Sequence, residues 1–300
     1  MTDAVLEIDR ISKRFGAVIA LHEASLAATA GELFGIAGRA GAGKTTLLRI
    51  CAGVLAPDGG QVRWRSLPFD PVSRAAIGYQ PAAGGLHPDM TVPDQLVYRG
   101  TLHGLDTNES HRRAQMWLDR FGRRALRELR IATLTAEERQ LVALIATLLP
   151  DPTLLVLDEP FAGLNRAGVE TVVDVLRERA LAGVPVLFSS NDFDLVERYC
   201  DRAGILRNGQ TVAAGSVTEL TADRARMVRV DAPDADPDWG DSVPGCRMVD
   251  VDGSRVVLEL GPEADDQAVL AAAMATGRVR EFTLLRRSLG ELFDVAGDAR

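Results

Sequence analysis

A glycine-rich octapeptide holds one of the two lysines of the chain and predicts a phosphate-binding loop. Its sequence is Gly38-Arg39-Ala40-Gly41-Ala42-Gly43-Lys44-Thr45. The chain has 34 basic residues, but Lys13 is the only other lysine. A compact ammonium can reach the β and γ phosphates of a nucleotide, whereas a forked guanidinium requires a different geometry. The octapeptide therefore predicts a nucleoside triphosphate site.

The remaining residues of this loop suit the same chemistry. Glycines let backbone N–H groups turn inward around phosphates, and the helix that follows offers the positive end of its dipole. The Thr45 hydroxyl is placed to ligate Mg²⁺. The predicted nucleotide-binding residues of the loop are Gly38, Arg39, Ala40, Gly41, Ala42, Gly43, Lys44, Thr45 and Thr46.

The segments on either side place this loop between a strand and a helix. Leu33–Ala37 is a short apolar run typical of a strand, and Thr46–Ala52 is a helical run closed by Gly53. A strand, a loop and a helix in this order are the context that the motif requires. This context favours a nucleotide site over the alternative, a glycine-rich turn that only caps a helix.

Two carboxylates follow a second apolar strand far downstream. Residues 153–157 predict a buried strand that ends in Asp158 and Glu159. A triphosphate site needs a carboxylate on the metal side and a base for water at such a strand end. We expect Asp158 to hold Mg²⁺ through water and Glu159 to polarise the attacking water. Two solvated acids at a strand end are the alternative.

The composition excludes several classes of protein. A net charge of -8 without a basic stripe argues against nucleic-acid binding. Three widely spaced cysteines without a metal-binding pattern are typical of free thiols. The acidic N-terminus predicts no signal peptide, and the longest apolar stretch, Leu141–Leu149, is far below the ~18 to 20 residues that cross a bilayer. We therefore expect a cytoplasmic protein whose membrane role requires a separate spanning subunit.

Apolar strands that alternate with helices predict an α/β fold with a mainly parallel sheet covered on both faces. Beyond about residue 225 the pattern changes, and Asp252-Gly253 predicts a hairpin inside a small α/β appendix. We expect a nucleotide-binding domain at 1–224 and an accessory domain at 225–300. The predicted elements are short β segments within 4–37, strands at 61–65 and 76–79, a helical insertion at about 91–150, a helix at 167–180, a strand at 184–189, a helix at 192–199, strands at 247–251 and 255–260, a helix at 265–275, a strand at 279–285 and a capped helix from Ser288.

These motifs together resemble the nucleotide-binding subunit of ABC transporters, in particular the bacterial ABC-2 export type with a small C-terminal domain. Lys13-Arg14-Phe15-Gly16 is similar to the adenine-stacking segment of that family, with Phe15 as the aromatic. Ile77–Pro81 and Leu86–Val92 are similar to its Q-loop region, where the membrane partner docks. Leu206–Gln210 is similar to the strand turn that closes its core domain.

The resemblance implies a RecA-like P-loop NTPase core with an antiparallel β subdomain and a helical insertion. It also implies ATP and Mg²⁺ as cofactors and ATP hydrolysis coupled to transport. The implied partners are a membrane-spanning permease subunit and a second nucleotide-binding subunit, in a homodimer or a heterodimer. Such a subunit lies on the inner face of the cell membrane through its permease.

The family signature LSGGQ falls on a strongly altered segment of this chain. The matching residues are Leu134, Thr135, Ala136, Glu137 and Glu138. In the family this helix N-terminus reaches across a dimer to the γ-phosphate held by the other subunit. We expect Glu138 to fold back on Thr135 as a capping box, with Glu137 as a second negative charge. Facing a triphosphate, each carboxylate would repel it by about 3 kcal/mol per charge pair at ~5 Å and an effective dielectric near 20.

Three further positions of the resemblance are altered. Ala82 stands where the family has the Q-loop Gln or Glu, unless Gln80 takes its place; Asn165 replaces the D-loop Asp; and Asn191 replaces the His that contacts the γ-phosphate. An amide can donate a hydrogen bond to phosphate but cannot carry a proton. With Glu159 and Asn191 as the catalytic pair, we predict Mg·ATP binding with hydrolysis that is slow or requires a complementary partner.

Two other functions remain open at this point. One is a non-hydrolysing regulatory half of a heterodimeric ATPase, and the other is full hydrolysis by Glu159 alone. A soluble P-loop GTPase or small-molecule kinase fits less well, because the chain has no NKxD guanine motif and its helical insertion follows the transporter pattern.

Overall fold

The structure of the chain is a computed structural model that describes residues 4–65, 67–68, 76–222, 226–235, 239–261, 264–285 and 289–290. It divides into two compact units, Met1–Val217 and Thr218–Arg300. The domain boundary expected after residue 224 falls within 223–225, outside the described residues, and stays a prediction.

The first unit contains ten strands and six complete helices among its described residues. The strands are β1 (Ala4–Phe15), β2 (Val18–Thr29), β3 (Leu33–Ala37), β4 (Gly59–Trp64), β5 (Leu67–Pro68), β6 (Ile77–Gln80), β7 (Leu154–Leu157), β8 (Val186–Ser190), β9 (Arg202–Arg207) and β10 (Gln210–Ser216). The helices are α1 (Lys44–Cys51), α2 (Val92–Leu102), α3 (Thr107–Arg120), α4 (Ala136–Leu148), α5 (Arg166–Leu181) and α6 (Phe193–Tyr199), with 3-10 turns at Arg124–Glu128 and Ile131–Thr133.

An antiparallel sheet of order β2-β1-β4-β5 forms the start of this unit. The sequence predicted short segments here, but β1 and β2 are each 12 residues long. Their pairing shifts register between Ile8 and Ile11, and Arg10 and Glu23 have positive φ angles of 45° and 50°. These bulges break the period-2 pattern. For that reason each long strand reads as several short ones in the sequence.

A second sheet of order β10-β9-β3-β8-β7-β6 positions the site. All its pairings are parallel except that of β10 with β9. Every residue of β3, β7 and β8 is buried, as a sheet covered on both faces requires. Because these strands are parallel, their carboxyl ends meet at one edge, where α/β folds bind ligands. The expected α/β architecture with a helical insertion is confirmed.

The second unit carries an antiparallel sheet of its own. It contains α7 (Val217–Ala222), β11 (Arg226–Asp231), β12 (Cys246–Asp252), β13 (Arg255–Leu260), α8 (Asp266–Thr276) and β14 (Glu281–Leu285), with a 3-10 turn at Trp239–Ser242 and sheet order β12-β13-β11-β14. The predicted hairpin at Asp252-Gly253 joins β12 to β13, and Gly253 supplies the positive φ of 60°. Trp239, Val228 and Leu258 are buried in its core. The helix predicted from Ser288 lies, apart from Leu289 and Gly290, outside the described residues.

Two general features of the chain also follow from the structure. Cys51, Cys200 and Cys246 are free thiols, and burial raises the pKa of Cys51 to about 12. In the part of the chain that the structure describes, no helix has both the length and the apolar character needed to span a bilayer.

Candidate nucleotide site

The predicted phosphate loop runs from the carboxyl end of β3 to the first turn of α1. Gly43 has a φ of 103°, and a Cβ atom there would lie 2.6 Å from the Ala20 carbonyl oxygen. A Cβ atom at Gly38 would lie 2.4 Å from the Leu206 carbonyl oxygen. Both positions therefore exclude a side chain, because the neighbouring strands approach the loop too closely.

Lys44 is turned back over the loop that precedes it. Its side chain is only 6% exposed, and its Nζ donates to the Gly38 carbonyl at 2.7 Å and to the Asn191 Oδ1 at 2.6 Å. The Glu159 Oε1 lies 3.7 Å from the same nitrogen. Burial lowers the pKa of Lys44, and the charges of Glu159 and Asp158 oppose this shift. Its hydrogen-bond acceptors are neutral oxygens, so the Glu159 carboxylate is the nearby negative charge that a polyphosphate would compete with for the ammonium.

Asp158 follows β7 and is 1% exposed. The Ser189 hydroxyl donates to its Oδ1 at 2.7 Å and accepts the Glu159 N–H at 3.0 Å. Its other oxygen, Oδ2, is buried and has no hydrogen-bond partner among the described residues. A buried carboxylate oxygen without a partner is costly, and oxygen is the ligand type that Mg²⁺ prefers. Thr45, whose hydroxyl group is a second oxygen ligand, lines the cavity at Lys44, so the residue types fit a magnesium ion.

Glu159 is held in an uncommon backbone conformation. Its φ is 50°, and its carbonyl accepts a hydrogen bond from the Gln140 Nε2 at 2.9 Å. Its Oε2 accepts the Asn191 N–H at 3.3 Å, whereas its Oε1 accepts no hydrogen bond in the described part of the chain. Burial raises the pKa of Glu159, and the charge of Lys44 opposes this shift. A carboxylate with a raised pKa and an oxygen that accepts no hydrogen bond suits a general base.

A cavity of about 380 Å³ lies in front of the loop. Residues 40–46 form one wall, Val18–Ala20 form another, and Glu159 and Asn191 complete it. Phe15 is not part of the lining, but it pairs across the strands with Val18 and is 48% exposed. The cavity thus has a cationic end at Lys44 and an apolar rim on β2, as a nucleotide requires.

Asn191 is placed next to both charged residues of the site. Its Oδ1 accepts from Lys44, and its backbone N–H donates to Glu159. With the oxygen so engaged, its amide Nδ2 is the group left to donate to a phosphate. The structure therefore brings Lys44, Glu159 and Asn191 together, as the sequence predicted.

The altered signature residues form a second cluster at the start of α4. The capping box is confirmed, since the Glu138 Oε2 accepts the Thr135 N–H at 2.8 Å and the Thr135 Oγ1 accepts the Glu138 N–H at 3.2 Å. Ala136 lines a separate cavity of about 550 Å³ that also includes Ala82. None of these residues lines the cavity at Lys44.

This capping box gives a direct stability prediction. Thr135→Ala removes the side-chain acceptor of an N-cap, so we expect the free energy of unfolding to fall by about 1 kcal/mol. Urea unfolding measures the change. Thr171→Ala is the matched control, because the Thr171 hydroxyl only donates back to the Ala167 carbonyl within α5. Equal stability of the two variants would contradict the prediction.

Glu137 is paired more completely than the sequence suggested. Its Oε1 forms an ion pair with Arg123, and its Oε2 accepts from the Asn165 Nδ2 at 2.9 Å. The Asn165 Oδ1 in turn accepts the Gly168 N–H at 2.9 Å and caps α5. Arg123 was missed because it lies in a turn 14 residues before its partner. Its charge partly offsets the repulsion that Glu137 was expected to exert.

Gln80 does not substitute for Ala82 in this structure. It is the last residue of β6, pairs with Leu157 and is fully buried, and neither polar atom of its side chain has a partner among the described residues. Side chains alternate along a strand, so Gln80 and Gly78 share one face of the sheet. A Cβ atom at Gly78 would meet Pro152 and the Thr147 carbonyl, and that face is therefore the one packed against α4.

Two residues that hold this site were not singled out from the sequence. Ser189 links Asp158 to the Glu159 backbone, and Gln140 holds the Glu159 carbonyl. Each is a polar residue at the end of an apolar run, since Ser189 directly follows Val186–Phe188 and Gln140 directly precedes Leu141–Leu149. That contrast is the signal that could have identified them.

Comparison with known proteins places the chain in a family. Residues 21–162 match the family model described as ABC transporter. The uncharacterized ABC transporter ATP-binding protein YhaQ of Bacillus subtilis is 32% identical over 289 residues, which are 96% of this chain and 97% of the relative. The chain belongs to the ATP-binding proteins of ABC transporters.

Further matches of this ABC protein agree with that family. Residues 215–294 match the family model described as ATP-binding protein DrrA1-3-like, C-terminal domain. The Nod factor export ATP-binding protein I of Paraburkholderia xenovorans is 29% identical over 225 residues, 74% of each chain. A solved structure described as an ATP binding subunit of an ABC transporter has a TM-score of 0.66 and 26% identity, and it covers 73% of this chain and 92% of its own. The predicted function as a transporter ATP-binding subunit, and the ABC-type ATPase class, are confirmed.

Proposed function

We propose that this ABC protein binds Mg·ATP between the loop 38–46 and the pair Asp158 and Glu159, and that it hydrolyses ATP slowly or only with a complementary partner. Two such subunits would close around the nucleotide, and this closure would move a separate membrane permease. The chain would lie on the inner face of the membrane through its contact with that permease. The main support for this proposal is a contrast between the cavity at Lys44 and the start of α4. Lys44 and Glu159 line one cavity, with the buried Asp158 directly before Glu159 in the chain, whereas the start of α4 is closed by its own carboxylates.

The residues of the chain have separate tasks in this proposal. Lys44 and the N–H groups of the loop hold the phosphates, and Thr45 and Asp158 hold Mg²⁺, which neutralises phosphate charge. Glu159 accepts the proton of the attacking water through its Oε1, which accepts no hydrogen bond among the described residues. Asn191 donates a hydrogen bond to the terminal phosphate but cannot take part in proton transfer.

The state of α4 supports weak rather than efficient hydrolysis. A helix N-terminus attracts a phosphate through N–H groups that lack internal partners. At α4, Glu138 and Thr135 satisfy two of these groups reciprocally. Glu137 adds a charge that Arg123 offsets only in part, because that pair is partly exposed to solvent. A phosphate of a second subunit would have to displace these contacts.

The second candidate is the regulatory half of a heterodimer, in which the intact partner performs the chemistry. The engagement of Asn165 with Glu137 of its own chain favours it, because the D-loop side chain is then not free for a second subunit. Affinity purification of the tagged chain separates the candidates. Recovery of a permease together with a second ATPase that has an intact signature supports the regulatory role, and a permease alone supports the homodimer.

Repair of the signature tests the proposed cause of slow hydrolysis. The triple variant Ala136→Gly, Glu137→Gly, Glu138→Gln removes both carboxylates, each of which would repel a phosphate by at most about 3 kcal/mol at ~5 Å and an effective dielectric near 20. Arg123 offsets part of the Glu137 share. We expect phosphate release, measured with the co-purifying partners, to rise at least roughly tenfold, which corresponds to about 1.4 kcal/mol. The control Glu170→Gln, Glu178→Gln removes two carboxylates from α5. Unchanged turnover in the triple variant, with ATP still bound, would contradict the proposal.

A further inference from the structure

The segment from Glu159 to Asn165 is attached to α4 at both ends. The Gln140 Nε2 donates to the Glu159 carbonyl at 2.9 Å, and the Glu137 Oε2 accepts from the Asn165 Nδ2 at 2.9 Å. Glu137 and Gln140 are three residues apart, so they lie on the same face of the helix. One face of α4 therefore holds both the residue before the loop 160–164, Glu159, and the residue after it, Asn165.

The hydrogen bond from Gln140 to the Glu159 carbonyl stabilises an unfavourable backbone conformation at Glu159. A non-glycine residue with a φ of 50° is in a sparsely populated region and persists only where its surroundings fix it. Here the Ser189 Oγ holds the N–H at 3.0 Å, and Gln140 and the Ala162 N–H both donate to the carbonyl, the latter at 3.1 Å. Gln140 is 8% exposed, so water cannot readily replace its amide.

The direction of the Glu159 side chain depends on these backbone contacts. Its Oε1 lies 3.7 Å from the Lys44 Nζ without accepting a hydrogen bond among the described residues, and its Oε2 accepts the long bond from the Asn191 N–H. Because both of these side-chain contacts are long, the direction of the carboxylate also depends on its own main chain. A misplacement of about 1 Å at a reacting group can cost about 100-fold in rate.

We propose that Gln140 is a positioning residue for Glu159. Through Gln140, the helix α4 that carries the altered signature fixes the position of the catalytic carboxylate. This inference rests on the proposed role of Glu159 in water activation. Gln140 does not line the cavity at Lys44, and in this proposal it acts through the Glu159 carbonyl. Its loss should therefore lower the rate of phosphate release and leave the affinity for ATP nearly unchanged.

The test uses Gln140→Met in the full chain with its co-purifying partners, because Met keeps the volume and removes the donor. Gln115→Met, on the exposed face of α3, is the matched control. We expect phosphate release at saturating ATP to fall about 10-fold to 100-fold, with the ATP dissociation constant within about twofold of the parent. Hydrogen exchange by mass spectrometry should become faster in the peptide that covers 159–165, and not in a peptide from α5.

The two measurements separate this inference from the proposed function. If the parent protein releases no phosphate, faster exchange of 159–165 in Gln140→Met still supports the attachment, while the proposed hydrolysis fails. Turnover and exchange both equal to the parent would overturn the role of Gln140. An increased dissociation constant with an unchanged maximal rate would overturn it as well, because Gln140 would then act on binding.

Discussion

Lys44→Arg should lose most of its affinity for ATP although it keeps the positive charge. The Nζ of Lys44 fits between the Gly38 carbonyl and the Asn191 Oδ1 in a side-chain environment only 6% exposed, and a planar guanidinium is too wide for that space. Loss of charge-assisted hydrogen bonds of about 3 kcal/mol in total lowers affinity by roughly 100-fold. Titration calorimetry with Mg·ATP measures the change.

The control for this variant exchanges the same residue types elsewhere. Arg112→Lys replaces a cation on the exposed surface of α3, where Arg112 pairs with Glu109. It should bind ATP as the parent chain does. If Lys44→Arg bound ATP with an affinity within a factor of about three of the parent, less than 1 kcal/mol, the loop would not hold the phosphates as argued.

Glu159→Gln should separate binding from hydrolysis. The amide keeps the size of the side chain but cannot accept a proton from water, so phosphate release should fall by about 100-fold or more, the range of a general base. ATP affinity should be equal to or higher than that of the parent, because a carboxylate 3.7 Å from the Lys44 Nζ no longer competes with phosphate. Glu170→Gln on α5 is the matched control.

The pH dependence gives this prediction a second readout. Burial raises the pKa of Glu159 above its usual value of 4.5, and the base acts only when deprotonated. Turnover should therefore fall as the pH falls through this raised pKa. The same decrease at low pH should be absent from the residual activity of Glu159→Gln. A parent rate that stays constant down to the ordinary pKa of a glutamate would contradict the role of Glu159 as the base.

The fold was predictable from the sequence where the pattern is regular. Buried strands such as β3 and β7 are apolar runs in the sequence because both faces of the sheet are covered. Thr135 and Glu138 predicted the start of α4 because they form a capping box. The length of β1 was not predictable, because bulges at positions such as Arg10 break the alternation.

The site was predictable where all the residues of one functional element are neighbours in the sequence. The loop around Lys44 and the pair Asp158 and Glu159 are of that kind. Gln140 and Arg123 act through contacts 19 and 14 residues away, which only the packed structure defines. The roles assigned to Phe15, Ala82, Asn165 and Asn191 remain predictions.

Calorimetric titration of the full chain with ATP, with and without Mg²⁺, tests the central claim most directly. We expect one saturable site whose affinity rises when Mg²⁺ is present, since the Asp158 Oδ2 and the Thr45 hydroxyl group then act as ligands. Folded protein that shows no heat of binding up to millimolar ATP would contradict it, because the cavity at Lys44 would then not be a nucleotide site.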